Sequence, residues 1–156
     1  MTDIVIGIEI RPYAEADWPR LCAIHDAARR DELALCVGVD AFRSLEDTYD
    51  SEGLFDDHLT VAELDGVVTG FAAFSQTELT WLYVDPAFHR CGVGRALLRH
   101  AVALGNGDMQ IDLLEGNLPA QALYVSEGFR VTERRKGKLI GNEAFSASGL
   151  VLKQSH

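Results

Sequence analysis

Apolar residues along this chain switch their spacing from every second position to every third or fourth and back, and the switches mark out its elements. From Ile4 to Arg11 they alternate and are β-branched, which predicts a first strand. Behind Asp17, Trp18 and Pro19 open a helix in which Trp18, Leu21, Cys22 and His25 share one face, with Asp17 as the expected N-cap. A second helical stretch is expected from about Asp40 to Tyr49, ending near Gly53. The runs His58 to Leu64 and Val67 to Ser75 flank Asp65-Gly66, a dipeptide suited to a two-residue hairpin turn, so they should pair antiparallel. Glu78 to Val84 predicts a fourth strand, stopped by Asp85-Pro86. Val93, Ala96, Leu97, Ala101 and Leu104 return to helical spacing and end at Gly105-Asn106-Gly107. Met109 to Leu114 reads as a short strand and Pro119 to Glu127 as a short helix closed by Gly128. Phe129 to Leu152 reads as a hairpin turning near Gly137 to Asn142. Strand, glycine-rich turn, helix and strand from Glu78 to Leu114 form a βαβ unit, and the order as a whole is α/β. No repeat, low-complexity tract or linker interrupts it, so a single domain over residues 1–156 is expected.

Composition narrows the class. Hydrophobic residues at 47% and charged ones at 24% are typical of a folded globular chain. No apolar run approaches the roughly 20 residues that span a bilayer, and Asp3 stands where a signal peptide carries positive charge, so a cytoplasmic protein without a membrane partner is expected. Cys22, Cys36 and Cys91 are odd in number and lack metal-type spacing, which points to free thiols and no metal. A net charge of -10 argues against nucleic acid as a partner. Residues 1–65 hold sixteen of the 24 acids against five of the 14 bases, a net -11, while His89 to Leu104 carries Arg90, Arg95 and Arg99 with no acid. A basic island in an acidic chain fits an anionic ligand docked there, and the acidic half fits a cationic partner or serves solubility.

The island begins with His89-Arg90-Cys91-Gly92-Val93-Gly94-Arg95, two glycines at the mouth of a helix directly after a strand. Gly92 and Gly94 remove Cβ atoms so that backbone amides can approach a phosphate, the helix N-terminus adds positive potential, and Arg90 and Arg95 offer charge-assisted hydrogen bonds. A dinucleotide fold would use Glu115, about twenty residues on, as its ribose acid. Against it, Leu97 replaces the third glycine and the remaining chain is too short for a second mononucleotide half. A P-loop is excluded, since no Gly-Lys-Ser or Gly-Lys-Thr occurs.

The segments LYVDPAFHRCGVGRALL and LLEGNLPAQALYVSEGF together resemble the GCN5-related N-acetyltransferases, the GNAT superfamily, over about residues 58 to 131. The family's coenzyme A loop, Gln/Arg-x-x-Gly-x-Gly/Ala, falls on His89 to Gly94, with His89 departing from the pattern at the first position. The later Asn...Ala...Tyr...Gly-Phe spacing falls on Asn117, Ala120, Tyr124 and Gly128-Phe129. The resemblance implies a mixed, mostly antiparallel sheet of six to seven strands flanked by about four helices. It also implies an acetyl-CoA-dependent N-acetyltransferase in which a primary amine, on a small molecule or a peptide, attacks the thioester directly within a ternary complex. Another acyl donor or nucleophile, or a noncatalytic acyl-CoA sensor, are the alternatives, and the family's frequent dimers allow a homodimer.

Residue by residue, the resemblance implies that the fourth and fifth strands splay, so that the pantetheine arm bonds the backbone around Leu82, Tyr83 and Val84 and an amide there polarises the thioester carbonyl. The diphosphate would sit on the loop from His89 through Arg90, Cys91, Gly92, Val93 and Gly94 to Arg95. Tyr124 would protonate the departing thiolate, with a packed core tyrosine beside Phe129 as the plain alternative. Asn117 would fix the turn and bond the cofactor arm. Glu78, eleven residues before His89 as in the histone-acetylating branch, is the candidate base, or else a solvated strand-end carboxylate. Alternation places it on one face with Thr80, Leu82 and Val84, and places Trp81 and Tyr83 on the other as core or interface aromatics. Freeing a lysine-like amine at neutral pH costs about 4 to 5 kcal/mol, which a base offsets. On the first helix, His25, Asp31 and Glu32 are candidates for binding the acceptor, with a packed role the alternative for His25 and likewise for His100.

Overall fold

The computed structural model describes residues 7–155. They form a seven-stranded sheet in the order β1-β2-β3-β4-β5-β7-β6, built from β1 (Ile8–Pro12), β2 (His58–Leu64), β3 (Val67–Phe74), β4 (Glu78–Val84), β5 (Gln110–Leu114), β6 (Phe129–Lys138) and β7 (Ser146–Gln154). Four α-helices complete the fold: α1 (Trp18–Leu35), α2 (Leu45–Thr48), α3 (Val93–Leu104) and α4 (Leu118–Ser126). Neighbouring strands run antiparallel except β4 and β5, the two arms of the expected βαβ unit. The expected start of the first strand at Ile4 lies outside the described residues, and the described part begins at Ile8.

Local rules explain most boundaries. Asp65 (φ 53°) and Gly66 (φ 81°) both take the left-handed conformation that a tight hairpin turn requires between β2 and β3. Asp85 stops β4, and its side chain accepts the Ala87 amide of the short 3₁₀ turn that follows. Asn117 begins α4, its side-chain oxygen accepting the Ala120 amide.

One expectation fails here and another holds only in position, both for readable reasons. The stretch from Asp40 to Tyr49 is not one helix but a 3₁₀ turn, Val39–Ala41, and the single-turn α2. Phe42 is extended (φ -63°, ψ 136°), and Ser44 starts a fresh helix by accepting the Asp47 amide. Asp17 holds the N-cap position of α1 but makes no cap hydrogen bond there. Its carboxylate instead accepts two hydrogen bonds from Arg11, at 2.8 and 2.9 Å, and the Ala14 amide. A charged partner outcompetes a helix amide for the same oxygens.

The helices divide between the two sheet faces. Val93, Leu97, Leu98 and Ala101 of α3 and Tyr124 of α4 join Phe74, Leu79, Met109, Ile111 and Leu152 in one cluster. Leu21 and Ile24 of α1 join Leu45, Val61, Phe71 and Trp81 in another. Gly70 allows α3 to lie close on β3, since a Cβ there would sit 2.9 Å from the Tyr83 carbonyl and 3.0 Å from Val93. Leu139, in the β6–β7 connection, docks against Leu33 and Ala41 and so brings that loop over the end of α1. Cys22, Cys36 and Cys91 are free and half-buried. Among the described residues no helix is long and apolar enough to cross a membrane.

Candidate active site

β4 and β5 pair only at Glu78 with Gln110 and Leu79 with Ile111, and beyond that point they part. Asp85 donates its amide to Thr69 of β3; alternation then turns the amides of Tyr83 toward β3 and those of Leu82 and Val84 into the gap. Two unpaired donors therefore face an opening in the middle of the sheet. On the α3 side the opening continues into a groove of about 1150 Å³, lined by Leu82, Tyr83, Val84, the 88–95 loop, Asn117, Leu123 and Tyr124. On the α1 side it meets a cleft of about 550 Å³, lined by His25, Arg29, Glu32, Glu52, Glu78, Trp81 and Tyr83 beneath the β6–β7 connection.

The loop entering α3 has the geometry of an anion cradle. Arg90 (φ 65°) and Gly92 (φ 84°) both lie in the left-handed region, and the first intrahelical bond runs from Ala96 to Gly92. The amides of Val93, Gly94 and Arg95 thus have no acceptor of their own within the helix, and they sit at the positive end of its dipole. At Gly94 a Cβ would meet Leu123 at 3.4 Å and Val84 at 3.5 Å, ordinary contacts. That glycine is not demanded by packing. His89 and Arg90 are exposed and Cys91 is half-buried on the groove wall. Arg95 reaches Ser126 at 3.1 Å and pairs with Glu127, which also takes Arg99 at 2.6 Å. Glu127 therefore neutralises part of the basic island, and the backbone carries more of any diphosphate site than the arginines do. Glu115, the acid a dinucleotide fold would need, is bound by Arg134 at 2.7 and 2.8 Å.

A β-bulge changes the outlook of Glu78. Ala73 pairs with Trp81 and Phe74 with Leu79, leaving Thr80 as the extra residue. Alternation is reset there. Leu79 packs in the cluster under α3 while Trp81 and Tyr83 pack on the α1 side. The expected shared face of Glu78 with Leu82 and Val84 is therefore wrong: Glu78 lines the α1-side cleft, exposed, and not the α3-side groove.

The junction of groove and cleft holds a polar cluster. Glu32 accepts hydrogen bonds from Arg29 at 2.7 Å, from the Tyr83 hydroxyl at 3.0 Å and from the Asn117 amide at 3.3 Å, so it ties α1 to β4 and to the start of α4. It lines both openings, whereas Asp31 is exposed and lines only the groove. Tyr124 is buried beside Phe129 with ring centroids 6.3 Å apart, yet it also lines the groove. Burial first, and the Glu32 charge second, raise its pKa well above the ordinary phenol value, so it is a protonated donor throughout the neutral range. The same two causes raise Tyr83. Burial raises Glu52, opposed by Arg29. Arg29 and Glu52 are not among the candidates that the sequence singles out, although Arg29 lies four residues after His25 and three before Glu32, on the face those residues share. His100 is half-buried and edge-on to Phe74 at 6.0 Å, a packed residue.

The mixed sheet thus opens between its one parallel pair, with an amide cradle on one side and a separate cleft on the other. A family model for the acetyltransferase (GNAT) domain matches residues 55–131. Peptidyl-lysine N-acetyltransferase YjaB of Escherichia coli K12 is 35% identical over 65 residues, which are 42% of this chain and 44% of that protein, so the match spans under half of the relative's length. A GCN5-related N-acetyltransferase structure from Rhodopseudomonas palustris superposes with a TM-score of 0.74 at 21% identity, covering 98% of each chain. The structure of yncA from Salmonella typhimurium with its cofactor acetyl-CoA superposes at 0.61 with 24% identity, over 96% of this chain and 95% of that one. The chain belongs to the GCN5-related N-acetyltransferase superfamily.

Proposed function

We propose that the chain is one acetyltransferase domain that carries acetyl from acetyl-CoA to a primary amine by direct attack in a ternary complex. The observation that carries this is the parting of β4 and β5, with the Leu82 and Val84 amides facing the gap between groove and cleft. Coenzyme A fits the groove with its diphosphate on the 92–95 amides and its pantetheine along β4. The thioester then reaches the gap, where those two amides polarise its carbonyl and stabilise the oxyanion that develops on attack. The acceptor enters through the cleft, passes Glu78 at the rim and meets Glu32 and Arg29 at the floor. Glu78, exposed to water, takes the first proton from the entering ammonium. Holding amine and thioester on opposite sides of one opening supplies much of the rate by proximity. As the C–S bond breaks, Tyr124 gives its proton to the sulfur, which a phenol with a raised pKa does only because the thiolate is itself desolvated in the groove.

A peptide lysine is an acceptor class supported by the relative's name, and a small amine is the other. Calorimetry with coenzyme A, followed by thiol release from acetyl-CoA across a panel of small amines and lysine peptides, tests the reading. Binding with turnover of at least one amine is expected. Binding without turnover of any would make the chain a sensor, and no binding would remove the assignment altogether.

A further inference from the structure

Two protons must leave the acceptor nitrogen for each acetyl transferred, since R–NH3+ enters and R–NH–CO–CH3 leaves. Glu78 accounts for the first, and the second is lost at the gap, beyond the reach of solvent at the rim. The cleft floor holds a group suited to it. Nδ1 of His25 lies 2.9 Å from Oδ1 of Asp26, and that carboxylate oxygen also accepts the Leu45 amide at 3.0 Å, which anchors it at the start of α2. The imidazole is 3% exposed and stands 5.0 Å edge-on to the Tyr83 ring and 5.9 Å from Trp81. A carboxylate at Nδ1 fixes the tautomer with its proton there and leaves the Nε2 lone pair free. Among the described residues Nε2 has no hydrogen-bond partner, and no fully buried side-chain nitrogen or oxygen lacks one. Nε2 therefore touches the open cleft that His25 lines. A histidine serving only to pack would have that nitrogen apolar-covered or bonded.

We propose that His25 is a second proton acceptor of the reaction, taking at Nε2 the proton left on nitrogen after attack, with Asp26 as its positioning residue. This rests on the acetyl-transfer reading above. The amine lone pair forms the C–N bond while the carbonyl π pair moves to oxygen; the N–H proton of the adduct moves to Nε2. The oxygen pair then re-forms C=O, the C–S bond breaks, and sulfur takes its electron pair and the Tyr124 proton. Glu78 and the imidazolium each release a proton to solvent and solvent returns one to the phenolate, a net release of one proton per acetyl transferred. The surroundings suit a neutral base. Burial lowers the His25 pKa, Arg29 adds to that, and Asp26 and Glu32 oppose it, with the protonated Tyr83 phenol as the remaining titratable neighbour, on β4.

The test is the pH dependence of kcat for wild type, His25→Gln, Asp26→Asn and Glu78→Gln, with a strongly and a weakly basic amine of similar size. His25→Gln should lower kcat about 100-fold for both amines, and the loss should persist at alkaline pH, where the entering amine is already neutral. Asp26→Asn keeps an acceptor for the Leu45 amide, and by removing a negative charge should move the acidic limb of the profile to lower pH. Glu78→Gln should instead recover as pH rises. Coenzyme A affinity should not change in any of the three. A His25→Gln enzyme within about threefold of wild type, or one rescued at alkaline pH, overturns the proposal. If His25→Gln does not fold, an unmoved acidic limb in Asp26→Asn overturns it. A wild type that turns over no amine defeats the acetyl-transfer reading itself, whereas turnover unaffected by His25→Gln defeats only this inference.

Discussion

The α3-side groove, proposed for coenzyme A, and the α1-side cleft, proposed for the acceptor, lie a few residues apart across one opening, yet they are built in opposite ways. The groove comes mainly from residues 82–95 and 117–124, with α1 adding Asp31 and Glu32 at its wall, and offers chiefly backbone amides set by helix starts and left-handed turns. The cleft gathers His25, Arg29 and Glu32 from α1, Glu52 beyond α2, Glu78 and Tyr83 from β4, and the loop after β6, and it works through side chains. A backbone site tolerates changes of side chain and demands local geometry. A side-chain site tolerates local change but depends on how distant segments dock. One region can therefore keep its ligand while the other changes its own.

Gly92→Asp attacks the first region and should have the largest effect. It puts a β-carbon at φ 84°, costing about 1 to 2 kcal/mol, and a negative charge among amides meant for an anion. Coenzyme A affinity by calorimetry should fall by about 100-fold or more, and turnover with it. Tyr124→Phe lies between the regions: kcat should fall about 100-fold while coenzyme A binds as before. Because the phenol pKa is raised, wild-type kcat should show no loss from phenol ionisation until well above pH 10. Glu32→Gln, by removing a charge that raises it, should bring that loss to lower pH. Unchanged turnover in the Phe variant would reduce Tyr124 to a core residue.

Glu78→Gln perturbs only the cleft and should cost about tenfold at neutral pH, recovering as the medium deprotonates the amine. A response independent of pH would remove its role. The smallest effect belongs to a place outside both. Arg11 holds the Asp17 carboxyl below the usual carboxylate range. Its stabilisation is complete above the unfolded pKa near 4 and is lost as pH falls through the lower folded value. Asp17→Asn should cost about 1 kcal/mol at neutral pH, read by denaturant melts, and nothing once both states are protonated.

How much can be read along the chain follows the same division. The Asp65-Gly66 turn, the span of α3 and the Asn117 start of α4 are dictated by neighbours within a few positions, through φ, capping and helical period, so the order of residues alone marks out the strand-loop-helix cradle. The basic island is equally legible, but not its partner Glu127, which lies 32 residues from Arg95. Strict alternation misplaces the face of Glu78 because it takes no account of the Thr80 bulge, a feature of strand pairing rather than of strand sequence.

By itself, then, the sequence determined the secondary structure around the glycine loop and the short helix that carries Tyr124, because short-range sterics and backbone hydrogen bonding decide these. Only the tertiary structure decided that β4 and β5 part after two pairs, that Glu32 bridges groove and cleft, and that Asp26 orients His25 against Tyr83. The first depends on how the whole sheet packs, and the other two on contacts of α1 with Leu45, Tyr83 and Asn117, which lie 19, 51 and 85 positions from their partners.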